Sequence, residues 1–131
     1  MPIERINPEG LRRPPTYTPV VRASGGATLY VSGQVPVDIE GKIVGAGDFA
    51  AQATQVFANL RVALAAGGAD FSHVVKMTTY IVNYHPGLRE ALGAARTAAM
   101  GGALPASTLV GVQALAMPEY LLEIEAVAVV G

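Results

Sequence analysis

Apolar positions recur with two different periods along this chain, and the two periods divide it into strands and helices. After Asp48, the residues Phe49, Ala53, Val56, Phe57, Leu60 and Leu64 recur at spacings of three and four, with Gln52, Gln55, Asn59 and Arg61 elsewhere on the wheel. That is a helix with one apolar face, capped by Asp48 and stopped by Gly67-Gly68. A second helix is predicted over residues 87–100, with Leu88, Ala91, Leu92, Ala95 and Ala99 on one stripe. Residues 28–32, whose β-branched and aromatic side chains alternate in face, the β-rich stretch 74–82, and residues 107–113 and 121–130 read as strands. The first of these is expected to end at Ser32-Gly33-Gln34 before Pro36. Residues 7–19 carry Pro8, Pro14, Pro15 and Pro19 and form an extended lead-in, and residues 38–47 are a turn-rich connection.

Two helices over one mixed sheet make a two-layer α+β domain whose helices cover only one sheet face. Along the last strand, Leu122, Ile124, Ala126, Ala128 and Val130 share one face, while Glu123 and Glu125 alternate with Leu121, Val127 and Val129 on the other. The second face is too apolar to stand in open water. A partner subunit over the sheet is the economical solution, so a small oligomer is expected.

Composition points the same way. The chain of 131 residues is the size of one domain, 1–131, and is 51% hydrophobic but only 15% charged, against about 25% in average soluble proteins. Nine Lys and Arg against ten Asp and Glu give a net charge of −1, with the basic residues scattered apart from Arg12-Arg13, so nucleic acid is not an expected partner. With no Cys there are no disulfides, thiolate nucleophiles or cysteine metal sites. The opening residues lack the apolar core of a signal peptide, and no apolar run reaches the length of a membrane span, so a cytoplasmic location is expected.

Candidate chemistry is sparse. No phosphate-binding glycine loop, dinucleotide fingerprint, zinc pattern or calcium loop occurs, and the glycine pairs fit turns and helix ends. His73 and His85 are twelve residues apart in expected loops and fit surface or capping roles better than metal ligation. Glu123 and Glu125 leave the same sheet face about 7 Å apart. Either the two carboxylates raise one another's pKa, leaving one able to exchange protons near neutrality, or they pair with basic side chains across an interface. Ser32-Gly33 puts a hydroxyl and an uncovered backbone position at a strand end, where backbone N–H groups can meet a bound carbonyl or carboxylate.

The motif LYVSGQVPVD at residues 29–38, the QATQVFANL helix, the VVKMTTYIV strand, Pro-Ala before the penultimate strand and the closing EIEAVAV occur in an order that resembles the Rid (reactive intermediate deaminase, YjgF-like) family over nearly the whole chain. The resemblance implies a chorismate-mutase-like fold in which three subunits close their sheets into a barrel-like core. It further implies a small-metabolite cleft between neighbouring subunits of a homotrimer, and hydrolysis of imines or enamines to a keto compound and ammonia without a metal or organic cofactor. Carried over by position, it implies Tyr17, Ser32 and Gly33 as substrate-binding residues and Glu123 as the carboxylate that helps activate water. Leu92 and Leu109 fall at further substrate-contacting positions.

One departure stands out. The arginine of deaminating members that follows Pro-Ala and grips the substrate carboxylate is Ser107 here. A serine hydroxyl supplies one neutral hydrogen bond where a guanidinium supplies a charged fork, so affinity for 2-imino acids is expected to fall by one to a few orders of magnitude. Ser107, with Glu123, then remains available for proton transfer through water, and Arg22, Arg89 or Arg96 of a neighbouring subunit is available to replace the missing anchor. Leu92, near the position of a family asparagine, and the longer turn at Gln113-Ala114-Leu115-Ala116 favour a less polar ligand. The leading expectation is a trimer that binds a small carbonyl, imine or enamine compound and hydrolyses a non-standard substrate. A non-catalytic binding or chaperone-like trimer is the alternative. The endoribonuclease activity named for relatives of this family ranks third, for want of a basic patch.

Overall fold

The computed structural model describes residues 3–131; Met1 and Pro2, part of the expected single-domain span, lie outside them. A short antiparallel pair, β1 (Ile3–Ile6) and β2 (Val20–Ala23), precedes a four-stranded sheet of β3 (Ala27–Gln34), β4 (Val74–Val82), β5 (Ala106–Val112) and β6 (Leu122–Val130). The strand order is β3-β6-β4-β5. Helix α1 (Phe49–Ala66) connects β3 to β4, and α2 (Arg89–Met100) connects β4 to β5. The α2 crossover returns the chain in the same direction, so β4 and β5 are parallel, while β6 runs antiparallel to both of its neighbours. The sheet is therefore mixed, as the sequence pattern required.

The helix ends follow local chemistry. The Asp48 side chain accepts from the Ala51 N–H at 3.1 Å and opens α1, and the Gly67 N–H donates to Leu64 O at 3.0 Å to close it. The predicted second helix begins two residues later than its pattern suggests, because Pro86–Leu88 winds as a single 3-10 turn and α2 follows from Arg89.

One core lies between the helices and the sheet. Leu60 and Leu64 of α1, Ile81 of β4, and Leu122 and Ile124 of β6 are all fully buried in it, and Leu92 and Met100 bring α2 into the same cluster. Each such side chain stabilises the fold by about 1.5–3 kcal/mol relative to exposure.

Two expectations need correction. Gln52 is fully buried rather than on the polar side of α1. Its Nε2 donates to Gly45 O at 3.1 Å and Glu119 O at 3.0 Å, and its Oε1 accepts from the Leu121 N–H at 2.9 Å. A polar side chain is stable there because all its groups are paired, and it pins both the loop before α1 and the turn before β6. The first sheet strand also continues past Ser32 to Gln34. Val31 pairs with Ala126 but Gln34 with Ile124, so Ser32 and Gly33 together oppose the single residue Glu125 as a β-bulge.

The sheet face away from the helices carries Tyr80, Glu123, Glu125, Val127 and Val110, with Tyr30 82% exposed at the β3 edge. No helix among the described residues is long and apolar enough to cross a membrane.

Candidate functional site

The Pro-rich lead-in is positioned by one residue. Thr18, 3% exposed, donates its N–H to Pro105 O at 3.0 Å and its hydroxyl to Leu104 O, which ties the lead-in to the start of β5. Tyr17 is thereby held beside Pro105 and Ser107 in the wall of a cavity of about 590 Å³. The floor is the helix-facing side of the sheet: Met77 pairs with Ser107 and Thr79 with Leu109 across β4 and β5, so these four residues share one face. Helix α2 supplies the opposite wall through Leu92, Gly93 and Arg96.

At the end of β4 the chain turns sharply through Asn83, whose φ of 52° is in the left-handed region that Asn tolerates. The turn brings Tyr84 and Pro86 into the cavity wall. Gly111 makes room for it, since a Cβ there would lie 3.2 Å from the Tyr84 Cβ.

Four of the seven expected site residues, Tyr17, Leu92, Ser107 and Leu109, therefore line one cavity. Leu92, 8% exposed, also belongs to the core, so it shapes the wall from behind, whereas Ser107 and Leu109 lie open along the edge strand β5. The other three lie elsewhere. Ser32 and Gly33 form the β3 bulge, and the Glu123 carboxylate packs directly over Gly33, in space a Cβ would occupy. Glu123 pairs with Tyr80 on the sheet face turned away from the helices, so within one chain Ser107 and Glu123 are on opposite faces.

The second glutamate of the pair has a partner that the sequence pattern did not indicate. Tyr80 donates its hydroxyl to Glu125 Oε1 at 2.6 Å, and this hydrogen bond, ahead of desolvation and the neighbouring negative charges, raises the tyrosine pKa above its ordinary 10.0. On the same face Lys76 Nζ donates to Thr108 Oγ1 at 2.7 Å.

Among the three candidate replacement arginines, Arg89 and Arg96 line the cavity of their own chain, and Arg22 is exposed on β2 outside it. Arg96 is half-buried, and desolvation pushes its guanidinium pKa below the ordinary range. Thr79 and Tyr84 were not anticipated as cavity residues. Thr79 had a legible signal, a polar residue on the core-facing side of an apolar strand; Tyr84 had none, because its placement depends on the turn at Asn83.

His73 acts as a cap: its Nδ1 accepts from the Asp70 N–H at 3.0 Å while the Asp70 carboxylate takes the Ser72 N–H. His85 opens the 3-10 turn before α2. Among the described residues no group of three His, Cys, Asp or Glu is placed to hold a metal.

Fold and site define a two-layer α+β domain with an apolar-walled cavity at an edge strand and the carboxylates of Glu123 and Glu125 on the reverse face. A family model described as Endoribonuclease L-PSP matches residues 11–130. In the crystal structure of YyfB from Yersinia pestis, a protein of the conserved Rid family, the match covers 99% of this chain and 100% of that one at 38% identity and a TM-score of 0.92. Protein DfrA of Myxococcus xanthus is 38% identical over 115 residues, 86% of this chain and 84% of that protein. A shorter match, 33% identical over 60 residues (46% of this chain and 47% of that protein), is to a Dermatophagoides farinae protein named 2-iminobutanoate/2-iminopropanoate deaminase. The chain belongs to the L-PSP endoribonuclease family, that is, the Rid (YjgF-like) family.

Proposed function

We propose that the chain works as a homotrimer that binds a small carbonyl, imine or enamine metabolite in a cleft between subunits and hydrolyses the carbon–nitrogen bond with release of ammonia. The observation that carries this reading is the division of the site: Tyr17, Leu92, Ser107 and Leu109 share one cavity, while Ser32, Gly33 and Glu123 form a second cluster on the reverse side of the sheet. A neighbouring copy that lays its Glu123 cluster against the open β5 edge unites the two. The same contact covers Tyr30 and Val110, which are otherwise exposed.

The chemistry then needs no cofactor. The Glu123 carboxylate takes a proton from water as the water oxygen adds to the imine carbon. That proton passes to nitrogen to give a carbinolamine; its hydroxyl proton is then transferred to the amino group as the carbon–nitrogen bond breaks, so that ammonia leaves and the carbonyl product remains. An enamine enters the same route after protonation at carbon. The deaminase name of one relative supports this reaction class.

Ser107 in place of an arginine favours a second reading, a trimer that binds its ligand without turnover. Generating imines in situ with an amino-acid oxidase or a pyridoxal-phosphate-dependent dehydratase, and following keto-acid release by wild type, Ser107→Arg and Glu123→Ala, separates the two. Hydrolysis accelerated by wild type and lost in Glu123→Ala supports the enzyme. Activity gained only by Ser107→Arg supports the binding protein. Sedimentation velocity reads the trimer directly, and a monomer would end both readings. The endoribonuclease name in the family description is tested by incubation with single-stranded RNA at low salt, where no cleavage is expected.

A further inference from the structure

We infer that the cavity selects a monocarboxylate with an extended apolar body, and that Arg96, on α2 rather than on β5, is the residue that holds the carboxylate. This rests on the reading that the Tyr17–Ser107 cavity is the ligand site, and it assigns the substrate class of that site.

Arg96 is half-buried in the cavity wall, and among the described residues its side chain makes no ion pair or hydrogen bond, although Arg5 and Arg61 each donate to a backbone carbonyl. A partly desolvated guanidinium with an empty fork is unfavourable until an anion fills it, and its planar geometry matches a carboxylate. The neighbouring residue one turn back keeps it open: a Cβ on Gly93 would lie 3.7 Å from Arg96 Nη2, so the glycine leaves that side of the fork uncovered. Glycine inside a helix weakens it, and here the bare position coincides with the cavity wall.

Charge and volume define the rest of the ligand. The charged residues lining the cavity are Arg89, Glu90 and Arg96, which sum to one positive charge. Arg89 and Glu90 are both exposed at the start of α2 and offset one another, which leaves Arg96 to be matched by a single negative charge. In one chain, before a neighbouring copy lays its Glu123 cluster against the β5 edge, the cavity is about 590 Å³, within the range of sites for drug-sized molecules and well beyond the needs of a three-carbon imino acid. Phe57, Met77, Leu92 and Leu109 offer the remainder an apolar surface, and the Ser107 and Tyr17 hydroxyls are left for the carbonyl or imine nitrogen.

The test uses unreactive keto acids, so that it does not depend on turnover. Isothermal titration of the full chain with 4-phenyl-2-oxobutanoate, 2-oxobutanoate and the methyl ester of the phenyl acid is expected to show the phenyl acid binding at least tenfold tighter than either of the others. Arg96→Gln is expected to weaken the phenyl acid about ten- to hundredfold and to abolish discrimination against the ester, with Arg96→Lys intermediate. Unchanged affinity in Arg96→Gln, or equal binding of acid and ester by wild type, overturns the assignment. Loss of the oligomer in Arg96→Gln, read by sedimentation velocity, also overturns it, because the guanidinium would then be an interface contact. Arg96-dependent binding without imine hydrolysis would sustain this inference while removing the enzymatic reading. Hydrolysis of uncharged imines without binding of any acid would do the reverse.

Discussion

The carboxylate of Glu123 lies over the backbone of Gly33, in the space that a side chain on β3 would otherwise occupy. The β-bulge at Ser32-Gly33 bends the strand at this point, and the missing Cβ lets the acid settle against it.

Gly33→Ala therefore displaces the Glu123 side chain. Because the obstructing atoms belong to a flexible side chain, the expected loss of folding stability is at the low end for overpacking, about 1 kcal/mol. The Glu123-dependent hydrolysis is expected to fall at least as far as in Glu123→Gln. Thermal unfolding and keto-acid release, measured on the same preparation, check the pair; full activity in Gly33→Ala would mean that the position of this carboxylate is unimportant.

The Tyr80–Glu125 hydrogen bond makes a pH prediction. The folded protein holds the Tyr80 proton more tightly than the unfolded chain does, since the tyrosine pKa is raised chiefly by its bond to Glu125. The unfolded state thus binds fewer protons once the pH exceeds 10.0, the ordinary tyrosine value. The contribution of this bond to stability is present below that pH and is lost as pH rises through the higher folded pKa. In ultraviolet titration, the tyrosine missing from the Tyr80→Phe difference curve is expected to ionise above 10.0, and Glu125→Gln to bring it down.

Gln52→Leu should be costly despite adding an apolar group to the core. It leaves the Gly45 and Glu119 carbonyls and the Leu121 N–H without their partner in a fully buried place. The expected destabilisation is about 2–4 kcal/mol in urea unfolding. A change below about 0.5 kcal/mol would show that water or a shifted loop replaces the amide.

Gly93→Ala should act in the opposite direction. The added methyl meets Arg96 Nη2 at 3.7 Å, an ordinary contact, so the helix is expected to gain about 0.5–1 kcal/mol. A loss of stability instead would reveal crowding at the cavity wall.

Much of the architecture was legible because it depends on neighbours in sequence. The spacing of Val56, Phe57, Leu60 and Leu64, the Asp48 cap and the Gly67-Gly68 stop set α1, and β-rich composition with alternation over most of their length set β4 and β6. The β1–β2 pair was not legible, because IERI and VVRA are too short to carry a period. Gln52 was misassigned for a related reason: the wheel gives its direction, but only the approach of the Gly45 loop and the Glu119 turn supplies the partners that allow burial.

Of the site, the sequence by itself determined which residue types were present, including the serine at 107 and the apolar Leu92. The tertiary structure decided where they meet. Insertion of β6 between β3 and β4 puts Glu123 on one face of the sheet, while the α2 crossover brings Ser107 and Arg96 into one cavity on the other. Strand order and crossover direction arise from packing between segments far apart in sequence, and no local pattern of residues encodes them.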